Sequence, residues 1–124
     1  MIQDYQHIQC PIQRAATLVA DVPTIVILRE LRRGPRRFND FVNVGLNPRT
    51  LTDRLQRLAQ ERIVERARYA EVPPRVEYRL TPKGQALFPI LDALKAFADV
   101  WLPYVPDNTP TPEESPHETF KRSR

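Results

Sequence analysis

At 124 residues the chain is long enough for one domain with a modest core. One cysteine, two histidines (His7 and His117) and three glycines leave no intrachain disulfide, metal cluster, phosphate-cradling loop or triad, so neither an enzyme nor a cofactor is expected. The net charge of +4 is unevenly placed: Arg29 to Lys83 holds 14 basic and 7 acidic residues, with Arg29, Arg32, Arg33, Arg36 and Arg37 crowded together. That excess suits a polyanionic partner, or equally a solvated basic face. No apolar run approaches the roughly 20 residues of a membrane span, and no charged-then-apolar leader opens the chain. A cytoplasmic protein that does not engage the membrane is expected.

In chain order, Pro11 marks the start of a first helix that "IQRAATLVA" carries to about Ala20. Asp21 and Pro23 suit the start of a second, since a proline early in a helix has no needed N–H to lose. "TIVILRELRR" reads as either strand or helix in its β-branched half. Its basic end and Gly34-Pro35 decide for a helix with cations at the C-terminus. A short helix follows over about 37–44, then a turn at Gly45. Asn47 and Pro48 next form a cap and first position for a helix over 47–60. "IVERARY" and "VEYRL" alternate as strands joined by "AEVPPR", whose two prolines exclude ladder pairing at the tip. Thr81-Pro82 opens a long last helix to about Leu102, with a kink expected at Pro89. From Pro103 five of the 13 prolines fall in a segment without apolar periodicity, so 1–102 is read as the domain and 103–124 as a flexible tail.

Two helices across a short turn, followed by a two-stranded ribbon, define a winged helix-turn-helix, a mainly helical α+β fold. With Leu51, Leu55 and Leu58 at the centre of the buried stripe, Arg49, Asp53, Gln56, Arg57 and Gln60 point outward, and Thr50 and Thr52 lie on the flanks. A recognition helix presents its N-terminal end to base edges. There Arg pairs with guanine, Gln with adenine, and a threonine methyl packs on thymine. Asp53 either accepts from a cytosine amino group or orients Arg49 or Arg57 at i±4. Arg75 at the hairpin tip is the expected wing contact. Arg36 and Arg37, at the start of the first helix of the pair, are expected phosphate anchors that give affinity rather than sequence choice.

These residues resemble a known family. "CPIQRA…IVILRELRRGPRRFNDF", "NPRTLTDRLQRLAQERIVER" and "YAEVPPRVEYRLTPKGQAL" look like the HxlR-type bacterial transcriptional regulators, relatives of the MarR winged-helix proteins. The match runs from about Cys10 to Trp101, and its most specific part is EVPPRVEY followed by LTPKG. The resemblance implies a homodimer on an inverted repeat in promoter double-stranded DNA, repressing or activating nearby genes, without catalysis or a required cofactor. It maps DNA contacts onto the Asn47–Arg57 helix (Asn47, Pro48, Arg49, Thr50, Thr52, Asp53, Gln56, Arg57) and the wing (Pro74, Arg75). One departure is plain: the family's Gly-Gly-Lys-Trp-like segment before the second helix is "ADVPT" here. The alternative reading is a winged-helix protein-interaction module without sequence-specific DNA binding.

For a dimer, the last helix offers a heptad-like seam of Leu87, Leu91, Leu94, Ala98 and Trp101, and a second apolar face that includes Phe97. A helix apolar on more than one side needs more partners than its own small domain supplies, so its second side and the first helix are expected to meet another subunit. Several family members sense oxidants or electrophiles through a cysteine just before a proline, the position of Cys10-Pro11. A helix start favours the reactive thiolate, and Arg14 follows at i+4. Against this, an unpaired cysteine is most often a small buried apolar residue. An oxidant or small-molecule effector is therefore one of two readings.

Overall fold

Several of the helices start where a side chain takes up N–H groups that the first turn leaves without partners. The computed structural model describes residues 2–107. After a 3-10 turn at Ile2–His7, α1 spans Pro11–Val19, α2 Val22–Arg32, α3 Phe38–Asn43 and α4 Pro48–Gln60. Strands β1 (Val64–Tyr69) and β2 (Arg75–Leu80) follow, then α5 (Pro82–Gln85) and α6 (Phe88–Trp101). Asp21 caps α2 by accepting from the Thr24 N–H and hydroxyl, both at 3.0 Å. Asn47 caps α4 by accepting from the N–H groups of Arg49 (2.9 Å) and Thr50 (3.2 Å). The Asp21 cap helps hold the β-branched run of α2 in a helix, where Thr24, Ile27, Leu28 and Leu31 form one buried stripe. Gly34 (φ 139°) and Gly45 (φ 105°) close α2 and α3 in backbone conformations that a side chain would strain.

The core gathers Val19, Ile27, Leu28, Leu31, Phe41, Leu51, Leu55, Leu58, Ile63 and Val64. Phe41 meets Tyr78 edge to face, with ring centroids 6.5 Å apart, which fastens the sheet to the helices. β1 and β2 pair antiparallel from Val64 opposite Leu80 to Tyr69 opposite Arg75. The turn between α2 and α3 adds a bridge to the far edge of β2: Arg36 N–H donates to the Tyr78 carbonyl (3.0 Å) and Tyr78 N–H to that of Arg36 (2.8 Å). Residues through Leu91 form one compact unit, and the chain from Asp92 onward a second.

Two expectations change. The long last helix is broken rather than kinked: α5 ends at Gln85 and α6 begins at Phe88. Proline has no N–H to give the carbonyl four residues back, so the chain restarts and Pro89 falls in the first turn of α6, where that lack is harmless. The 3-10 turn and the Arg36 bridge were not expected at all. The apolar seam also divides, because Leu87 and Leu91 pack on the core of the first unit. Leu94 (50% exposed), Phe97 and Trp101 (68%) stay open, and Ala98 is half-buried. Residues 103–107 have no regular structure, and the rest of the expected tail, with His117, lies outside the described residues.

Gly84 is buried where α5 crosses the start of β1. A Cβ there would lie 2.3 Å from the Ile63 carbonyl oxygen and 2.8 Å from Leu80 Cδ2. Backbone cannot give way as a side-chain end can, so Gly84→Ala should destabilise the fold by about 1–3 kcal/mol. Urea denaturation checks this, and an unchanged midpoint would contradict the close approach.

Candidate nucleic-acid interface

Helix α4 turns Leu51, Leu55 and Leu58 into the core and leaves Asn47, Pro48, Arg49, Thr52, Asp53, Gln56 and Gln60 exposed, with Thr50 half-buried. Arg57 departs from the expected outward direction. Its guanidinium lies back against the junction of α1 and α2, donating to the Leu18 carbonyl at 3.0 Å and reaching Asp21 at 3.4 Å. Arg54, one turn earlier on the same flank, is the residue that sequence reasoning missed. Its Nε donates to Asp21 Oδ1 (3.1 Å) and its Nη1 to Asp53 Oδ2 (2.8 Å). Asp53 therefore pairs with its neighbour Arg54 rather than with Arg49 or Arg57 at i±4. A lone acid on this face would repel phosphate; here its charge is met from within the helix.

Asp21, the second residue of the "ADVPT" segment and the N-cap of α2, holds both arginines. Partial burial pushes its carboxyl up, but the Thr24 N–H and hydroxyl and the Arg54 guanidinium outweigh that and hold it below the usual aspartate range. A depressed folded-state pKa contributes stability in full above the unfolded value of 3.8 and loses it as pH falls through the folded one. Asp21→Ala should cost about 1–2 kcal/mol from the lost cap alone. It should also flatten the decline in stability below pH 3.8, as acid titration of the two proteins will show. Identical acid profiles would deny Asp21 this role.

The hairpin has two unlike faces. On one, Glu65 pairs across the strands with Arg79 at 3.0 Å. On the same face Arg75 lies over the Tyr69 ring at 4.3 Å, with its Nη1 3.1 Å from Glu71 and its Nε 3.2 Å from Glu77. Arg75 is thus at the wing, as expected, but with its charge already matched; Pro74 beside it is exposed. On the other face, Arg66 lies next to Tyr78 and lines a shallow groove with Phe38 and with Thr52, Gln56 and Gln60 of α4. Arg36 does not stand at a helix start: its backbone forms the bridge to β2, and its Nε approaches the buried Glu30 at 3.8 Å. Arg37 precedes α3, where its own N–H is taken by the Asp40 carboxylate at 2.8 Å. Away from this surface, Cys10 is exposed and caps α1, accepting from the Gln13 N–H at 3.5 Å. Arg14 is turned from the thiol and donates to the carbonyls of Ile8 (2.6 Å) and Gln9 (3.2 Å).

The model of the HxlR-like helix-turn-helix family matches residues 18–105. The chain belongs to that family. An HTH-type transcriptional regulator of Synechocystis is 40% identical over 95 residues, covering 75% of this chain and 70% of that one. Among solved structures, the redox regulator HypR in its reduced form superposes with a TM-score of 0.69 at 30% identity, over 73% of this chain and 92% of that one. The diamide-treated YodB of Bacillus subtilis gives 0.63 at 33%, over 79% and 100%. This HxlR-like chain is a transcriptional regulator of the helix-turn-helix type, with the mainly helical, winged fold of its MarR-like neighbours. Among the described residues no single helix is long and apolar enough to cross a membrane.

Proposed function

We propose that this HxlR-like protein binds a specific inverted repeat in promoter double-stranded DNA as a homodimer in the cytoplasm. The observation that carries the reading is the exposed face of α4. Arg49, Thr52 and Gln56 stand open at and beyond its capped N-terminal end, while the one acid among them is neutralised by Arg54. Asn47, Pro48 and Thr50 set that end against the groove. Arg57 braces the helix, and Arg36, Arg37, Pro74 and Arg75 flank the surface. Leu94, Phe97 and Trp101 of α6, exposed and apolar, supply the face for a second copy.

Gel-shift titration on the upstream region of the protein's own gene should give affinity that falls linearly with log salt, at about −0.9 per phosphate neutralised. Arg49→Ala should relax base choice at one position by roughly 1–3 kcal/mol. A two-fold dimer should place the α4 helices about 34–36 Å apart, one duplex turn. A flat salt response without duplex preference would favour the protein-interaction alternative, and a monomer in sedimentation at micromolar concentration would remove the dimer.

The same reading includes a response to oxidants through Cys10, favoured by its exposure and its place at a helix start. HypR is described as a redox regulator. Oxidation to a sulfenic acid and condensation with a second thiol would involve another subunit or a small thiol, since the chain has one cysteine. Mild oxidation should change operator binding by the wild type and leave Cys10→Ser unaffected. An equal response in both proteins would exclude Cys10 as the sensor.

A further inference from the structure

We propose that the wing's phosphate contacts come from Arg66 and Arg68 on β1, and that the arginine at the tip, Arg75, is a brace. The inference rests on the DNA-binding reading above and assigns the wing residues within it. Side chains alternate along a strand, so Arg66 and Arg68 share a face with Val64, and across the sheet with Leu80, Tyr78 and Val76. That face packs on the core at its base and borders α4 further out, where Arg66 lines the groove with Thr52, Gln56 and Gln60. Beyond the core, the same row reaches Arg68, which is also exposed.

Charge separates the two faces. Among the described residues, neither Arg66 nor Arg68 has an ion pair or a hydrogen bond to its side chain. On the opposite face Arg79 is paired with Glu65, and Arg75 is held by Glu71, Glu77 and the Tyr69 ring. A cation already paired with carboxylates gains little from a phosphate, because the internal partners must be given up to make the new contact. A free cation exchanges only its counterions. The α4-facing row therefore continues the open surface of Arg49, whereas the tip arginine stiffens the turn. Residues two apart on a strand stand about 6.7 Å from each other. That separation lets the two guanidiniums engage neighbouring phosphates of one strand.

The test uses the full chain and a mixed-sequence duplex, since phosphate contacts do not depend on sequence. Arg66→Gln and Arg68→Gln keep much of the aliphatic stem and remove the charge. The double variant should lower the log–log salt slope by about 2, at −0.9 per contact, with an unchanged thermal midpoint. The double lysine variant should restore the slope. Arg75→Gln should leave the slope as in wild type. An unchanged slope in the double glutamine variant overturns this assignment, as does a loss confined to Arg75→Gln. A wild-type protein with a flat salt response overturns the DNA-binding reading itself, and this one with it.

Discussion

The carboxylate of Asp21 organises the molecule. One residue caps α2 through Thr24 and at the same time holds Arg54 and Arg57 of α4. Taken separately, a cap and two partly exposed ion pairs are modest contributions. Joined at one acid, they tie the angle of α4 to the start of α2. Arg57 extends the junction to the end of α1 by donating to the Leu18 carbonyl. The residues that face outward from α4 can therefore be chosen for what they meet, because the helix is held by its buried leucines and its arginine flank.

Much of this arrangement is legible in the sequence, for identifiable reasons. Caps and breakers act locally, so Asp21, Asn47-Pro48, Gly34 and Gly45 place the helix ends within a residue or so. The leucines of α4 recur at helical spacing, and the strands alternate. What periodicity does not reveal is which way a long side chain turns once it leaves the backbone. Arg57 lies far enough round the helix to read as outward, yet its reach returns it to Leu18 and Asp21. The Arg36 bridge joins residues more than 40 positions apart through backbone groups alone, and no side-chain pattern announces it. In the same way, the division of the last helix follows from Pro89, which was visible, acting one step earlier than a kink would place it.

The departure at "ADVPT" gains a physical meaning from the same junction. Where the resemblance implies a Gly-Gly-Lys-Trp-like segment, this chain has an acid and a proline. The acid anchors two arginines of α4, and the proline sits where α2 needs no N–H. Protonation of Asp21 in acid would weaken the cap of α2 and the contacts to Arg54 and Arg57 together.

The Arg36 bridge has a further consequence for how the protein behaves among copies of itself. A two-stranded hairpin exposes two edges, each a template for pairing with another chain. Along β2 that edge is occupied at Tyr78 by the turn between α2 and α3, so an incoming strand finds its hydrogen-bonding groups taken there. Among the described residues no strand pairs with the outer edge of β1, and the strand carries Glu65, Arg66 and Arg68. In the registers that set Arg66 opposite Arg66 or Arg68, a second copy laid along it brings like charges together, which is unfavourable. One edge is closed by backbone and the other by charge, so a small exposed sheet can face a nucleic acid without becoming a seed for aggregation.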